Sequence, residues 1–229
     1  HSVISPRSFV RYAKIPSGKN VLTSIYKSLP TTQKKAARAI KNDLKYRQNI
    51  ISRHLLQACT ESALNMTSDR FSLSFPKFSR PEFRSDFNEA DISLSLSHSG
   101  GWVAVAVGTN CVIGLDILDA TRPKGSFSIA DHYFHDNEKK LLSNLQEADR
   151  RVAFQKLWCA KEAMVKVKGC DLSDCLDLDF SGDADLADNY SVDGVVIQVF
   201  QATDLLAVGV VAVEAAEEEL EIFIERTIL

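Results

Sequence analysis

The chain has 229 residues, enough for one large domain or two small ones. With 45% hydrophobic and 25% charged residues and no low-complexity run, its composition excludes a disordered or fibrous protein. The net charge of −3 conceals a polarity: residues 1–60 hold 12 Lys/Arg and one acid, whereas residues 169–229 hold one Arg and 15 acids. The amino-terminal end therefore suits an anionic partner and the carboxyl-terminal end does not.

No apolar stretch approaches the ~20 residues needed to cross a bilayer, and the first residues lack the continuous apolar core of a secretion signal. The five cysteines (Cys59, Cys111, Cys159, Cys170, Cys175) contain no C-x-x-C pair, which speaks against a zinc site and a disulfide framework. These features predict a cytoplasmic protein with no membrane partner.

In chain order, residues 33–64 lack Gly and Pro and read as one or two helices after Pro30 and Thr31. A loop rich in Ser, Phe and Pro (SLSFPKFSRPEF) follows. ISLSLSHSGGWVAVAVG then gives two alternating runs around a Ser-His-Ser-Gly-Gly turn, a β-hairpin signal. CVIGLD is a short buried strand ending on Asp116, with Gly114 leaving room for another backbone. Short helices are expected over 126–145 and a long one over 149–168, stopped by Gly169. VVIQVF, LLAVGVVAV and LEIFI read as closing strands. Helix then hairpin, twice over, predicts an α+β fold of two similar halves, 1–113 and 114–229. Each is a long helix packed on a small, mostly antiparallel sheet, and a pseudo-twofold relates them. A ligand cleft is expected between the halves.

In the 149–168 helix, Phe154, Leu157, Trp158, Met164 and Val165 share a face at 100° per residue, yet Lys161 and Lys168 fall within it. Glu162 and Lys166 stand at its edge, one turn apart. Taken singly, such residues have ordinary readings. Asp116 can cap a turn, Glu162–Lys166 can be a surface ion pair, and His98 can be a solvated turn residue. Arg80, Lys35 and Arg47 can be solubilising charges.

Their succession is more specific. SHSGGW, then IGLD, then LWCAKEAMVK resembles the 4′-phosphopantetheinyl transferase superfamily, in particular its larger, monomeric, pseudo-dimeric type. The resemblance runs from the Arg-Pro of FSRP to about residue 180, and more faintly through Pro30, Lys35 and Arg47. It implies transfer of 4′-phosphopantetheine from coenzyme A to a serine of an acidic apo carrier protein (acyl, peptidyl or polyketide), releasing 3′,5′-adenosine bisphosphate. It also implies Mg²⁺ on Asp116 and Glu162, Lys166 clamping phosphate, and Ser97 and His98 at the pyrophosphate. Arg80 would reach the nucleotide phosphates, and Lys35 and Arg47 the 3′-phosphate. Lys161 is expected to run along the cleft wall with its amine near solvent or phosphate. Exposed lysines such as Lys41 and Lys45 are expected to dock the carrier.

Two departures stand out. The family's Asp-x-Glu is Asp116-Ile117-Leu118 here, with Asp119 one residue on, and its Gly-Lys-Pro is Ser79-Arg80-Pro81. In a regular strand, residues 116 and 118 share a face and Asp119 points the other way. One alternative is a coenzyme A-binding protein without catalysis, against which Asp116 and Glu162 stand. Another is a nucleic-acid binder using residues 1–60, which hold few aromatics for base stacking; no nucleic-acid partner is expected.

Overall fold

In the computed structural model, residues 5–77, 79–87, 90–121, 127–182, 188–202, 207–215 and 220–229 are described. Two four-stranded sheets carry the fold. The first has the order β10 (Glu221–Arg226), β1 (Arg7–Lys14), β5 (Trp102–Thr109), β4 (Ile92–Ser99). The second has the order β6 (Val112–Asp119), β9 (Ala207–Glu214), β8 (Val195–Ala202), β7 (Asn189–Val192). All pairings in them are antiparallel except β1–β10. A two-stranded ribbon, β2 (Ser72–Ser74) with β3 (Glu82–Arg84), pairs with neither sheet and packs Leu73 and Phe83 on the core beside α3.

Seven helices surround the sheets among the described residues: α1 (Lys19–Ser28), α2 (Thr31–Arg38), α3 (Asp43–Leu64), α4 (Phe127–Tyr133), α5 (Asp136–Asn144), α6 (Glu147–Lys168) and α7 (Leu172–Leu176). The α+β class is as expected. The expected 33–64 helix is broken at 39–42, where Asn42 caps α3 by accepting from the Lys45 N–H at 2.9 Å. Leu205 and Leu206 of the last hairpin, and residue 126, lie outside the described residues.

The two units share an order. A first strand (β1, β6) leads to a 22-residue helix (α3, α6), then a hairpin whose second strand (β5, β9) pairs with the first strand. Alternation explains the layers. Val103, Val105 and Val107 of β5 pack with Leu55 and Leu56 of α3, while Ala104 and Ala106 turn to Ile113, Leu115, Ile117 and Val211 of the second sheet. On the far face, Leu118, Val208 and Val210 pack with Ala160, Ala163 and Met164 of α6.

Along the seam between the sheets, β4 uses side chains in place of backbone pairing. The hydroxyls of Ser93, Ser95 and Ser97 accept from the N–H groups of Ile113, Leu115 and Ile117 at 3.2, 3.0 and 3.3 Å. The Leu-Ser alternation thus serves two interfaces, leucines to the α3 side and serines to β6. Gly114 admits α6 closely, because a Cβ there would collide with the Ala163 carbonyl.

β1 was not singled out from the sequence. A boundary at 113/114 passes through β6, and β10 returns from the carboxyl-terminal end to pair with β1. That pairing sets Arg7 against Glu221 at 2.9 Å and Arg11 against Glu225 at 3.2 Å, so the oppositely charged ends partly neutralise each other.

Candidate active site

A cleft of about 1000 Å³ lies over the β4–β6 seam, between the amino-terminal half of α3 and the carboxyl-terminal end of α6. That is the upper end of the size range for small-molecule sites. Its basic lining residues are Lys45 and Arg53 of α3, Arg80 of the loop and Lys166 of α6, with His98 of β4 beside them. Among the described lining residues there is no carboxylate. Such a wall attracts a polyanion.

Arg80 is the least satisfied of these groups. Its Nη2 is buried and has no hydrogen-bond partner among the described residues. Burial also pushes its pKa down, the sign of a cation held with little protein compensation. Arg53 is 8% exposed, donates from Nε to Asn49 Oδ1 at 2.9 Å and stacks its guanidinium 4.1 Å from the Phe75 ring centre. Its charge is thus aimed by two contacts that do not neutralise it.

Beside the cleft, Asp116 is 8% exposed and anchors a small polar cluster. Ser97 Oγ donates to Asp116 Oδ1 at 2.6 Å. Lys166 Nζ lies 3.3 Å from the same oxygen and donates to the Leu115 carbonyl at 2.5 Å. Glu162 sits one turn earlier on α6, partly buried. The thiol of Cys159, on the turn before that, is pushed far up by burial and then by the charge of Asp116, with Lys166 opposing and Glu162 adding.

Residues 112–200 match the family model of the 4′-phosphopantetheinyl transferase superfamily. The resemblance read from the motifs is borne out. The chain is 32% identical over 92 residues to the 4′-phosphopantetheinyl transferase Gsp of Aneurinibacillus migulanus, covering 40% of this chain and 38% of that protein. It is also 32% identical over 81 residues to a Synechocystis protein provisionally named a 4′-phosphopantetheinyl transferase, covering 35% and 32% of the two chains. The matches thus span about a third of the relatives' own lengths.

The superfamily match contains Asp116, Glu162 and Lys166; Lys166 pairs with Asp116 at 3.3 Å, and Glu162 lies one helical turn before Lys166. Arg80 and His98, outside the matched segment, reach the same cleft. His98 does so from strand β4, paired with Val103, and not from the turn tip, which is Gly100-Gly101.

Other expected residues stand elsewhere. Ser97 does not line the cleft; strand alternation turns it to β6, where it holds Asp116. Lys35 is exposed on α2 and Arg47 pairs with Asp43 at 2.8 Å, on a separate pocket with Tyr26 and Tyr46. On a helix, Arg47 lies about 200° around from Lys45, so α3 cannot present both to one cleft. Lys45, expected at the carrier, lines the cleft. Arg53 was missed, although Lys45, Asn49, Ser52 and Arg53 form an i, i+4, i+7, i+8 polar stripe readable from the sequence.

Lys161 is a correction of another kind. It is fully buried, with Nζ 3.0 Å from Glu138 Oε2 and donating to the carbonyls of Leu176 and Leu178 at 3.0 and 2.8 Å. The rings of Phe134 and Phe180 lie 5.0 and 4.8 Å away. Burial pushes Lys161 down and Glu138 up, each opposed by the other's charge. Its acceptors are all oxygens, and together they tie α5, α6 and α7.

Asp119 faces away from Asp116, as the alternation requires. Its Oδ2 accepts from the Gly101 N–H at 3.1 Å, and its Oδ1 accepts from Thr121 Oγ1 at 2.6 Å. Leu118 shares the Asp116 face but is 1% exposed within the α6 core. The β6–β9 register advances without a bulge through Asp119.

Proposed function

We propose that the protein transfers 4′-phosphopantetheine from coenzyme A to a serine of an apo carrier protein in a Mg²⁺-dependent reaction that releases 3′,5′-adenosine bisphosphate. The carrying observation is the buried guanidinium nitrogen of Arg80, unpartnered among the described residues, in a cleft also lined by Lys45, Arg53 and Lys166. Coenzyme A bears a 3′-phosphate and a pyrophosphate. The cleft offers cations from three directions: Lys45 and Arg53, Arg80, and Lys166. Charge-assisted contacts of this kind contribute roughly 1.5–3 kcal/mol each.

Asp116 and Glu162 fit a hard divalent cation, being carboxylates on packed elements. Asp116 Oδ1 already stabilises one positive charge, that of Lys166. When bound, Mg²⁺ supplies neutralisation of the charge that develops on the pyrophosphate bridge. Leu118 can provide no ligand.

The chain's own contribution is positioning. Lys166, held from the Leu115 carbonyl, and His98, at the cleft wall, orient the pyrophosphate for in-line approach of the serine hydroxyl. Ser97 is a positioning residue, locking the Asp116 carboxylate between its own hydroxyl and β6. The exposed Lys35, Arg38 and Lys41 form the cationic face for an acidic carrier, and the enzyme works as a monomer.

Calorimetric titration with coenzyme A tests the reading. Saturable binding that weakens steeply with added salt is expected, and a loss of tenfold or more in Arg80→Ala. Absence of binding to the native protein at low salt would overturn the proposal.

A further inference from the structure

Directly after α6 the chain turns at Gly169 and places two thiols in contact. Cys170 Sγ and Cys175 Sγ are 3.5 Å apart, in van der Waals and weak hydrogen-bond contact. Among the five cysteines, Cys59, Cys111, Cys159 and Cys175 are buried and Cys170 alone is not. Cys170 also lines the cleft, next to Gly169 and Lys166, so a small solute in the cleft can reach it. Cys175 stands behind it on α7, 1% exposed.

We propose that Cys170 and Cys175 are a redox pair, in which a hydroperoxide oxidises Cys170 and Cys175 closes the product to an intramolecular disulfide. The Cys170 thiolate attacks the terminal peroxide oxygen, the O–O bond breaks, and an alcohol (water, for hydrogen peroxide) leaves after taking up a proton. Cys170 is then a sulfenic acid. Cys175 sulfur attacks the Cys170 sulfur, the S–O bond breaks, and the hydroxide released takes the Cys175 proton to leave as water. In sum, two thiols lose two electrons and two protons to one hydroperoxide.

The order of events follows from access. Burial pushes the Cys175 thiol up to about 12, so it is the protonated, sheltered partner and Cys170 meets the oxidant. Closure shortens the sulfur separation from 3.5 Å to about 2.05 Å, within reach of a small shift of the 169–172 turn. The bond ties the cleft wall to α7, whose Cys175 and Leu176 carbonyls are already held by Lys161 at 3.4 and 3.0 Å. This inference stands on the two thiols and is independent of the transferase reading.

The test is hydrogen peroxide titration of the native, full chain, followed by thiol counting and peptide mass mapping. The expected result is loss of two of the five thiols and a Cys170–Cys175 cross-linked peptide two hydrogens lighter, reversed by dithiothreitol. Cys175→Ser should trap the Cys170 sulfenic acid as its dimedone adduct and advance to sulfinic acid at least tenfold faster than the native chain. Cys170→Ser, altered at the more accessible position, should keep its remaining thiols and serves if Cys175→Ser does not fold. A native chain that keeps all five thiols, or one whose Cys170 runs to sulfinic acid without cross-linking, would overturn the pair.

Discussion

Two cations five residues apart on α6 have opposite fates. Lys161 is fully enclosed, and its hydrogen bonds go to Glu138 and to backbone carbonyls around the α7 turn. Lys166 is partly exposed at the cleft, held to Leu115 and Asp116. Across the cleft, Arg80 carries the contrast further, with a buried nitrogen that has no partner among the described residues. A charge in an apolar stripe is therefore not in itself a functional signal. What separates scaffold from site is whether the protein supplies the counter-groups or leaves them to a ligand.

The largest expected effect breaks the scaffold side. Lys161→Met should cost about 3–5 kcal/mol of stability, because Glu138 is left buried without its cation. Urea denaturation measures this, and a loss below about 1 kcal/mol would remove Lys161 from the scaffold.

Arg80→Ala should do the reverse. Its stability should stay within about 0.5 kcal/mol of the parent or rise, since a poorly compensated buried group is removed. Its coenzyme A affinity should fall in the same preparation. A large stability loss in Arg80→Ala would make it a second Lys161.

The smallest effect concerns His54 on α3, whose pKa burial pushes below 6.5. The folded state then resists protonation that the unfolded chain accepts. Stability should fall as pH drops below the unfolded value of about 6.5 and level off below the folded one. His54→Gln should flatten that acid limb by a fraction of a kcal/mol; an unchanged limb would show that another group sets it.

Local features of this fold were legible in the sequence where a periodicity or a special residue enforced them. The Leu-Ser alternation marks β4, Gly169 ends α6 at φ 64°, and Gly114 announces the close approach of α6. Motif order also pointed to Arg80, His98 and Lys166, which line the cleft, and to Asp116, which pairs with Lys166. Long-range pairing was not legible. β1 meets β10 across nearly the whole chain, and RSFVRYAK reads as a basic segment until Glu221 and Glu225 stand beside it. Lys161 was misplaced for the same reason, since its partners Glu138, Leu176 and Leu178 come from other elements. Arg47 was misassigned and Arg53 missed because the helical phase of α3 relative to the cleft depends on how α3 packs on β5.

The proposed transfer requires the cationic cleft and the carboxylates Asp116 and Glu162 together. The direct measurement is intact-mass analysis of an apo carrier protein incubated with the native chain, coenzyme A and Mg²⁺, alongside Asp116→Asn. The account predicts the phosphopantetheine mass increment on the carrier with the native chain, and a loss of at least a hundredfold in rate with Asp116→Asn while the variant remains folded. A carrier that stays unmodified across acyl, peptidyl and polyketide types, or an Asp116→Asn variant that modifies it at the native rate, would contradict it.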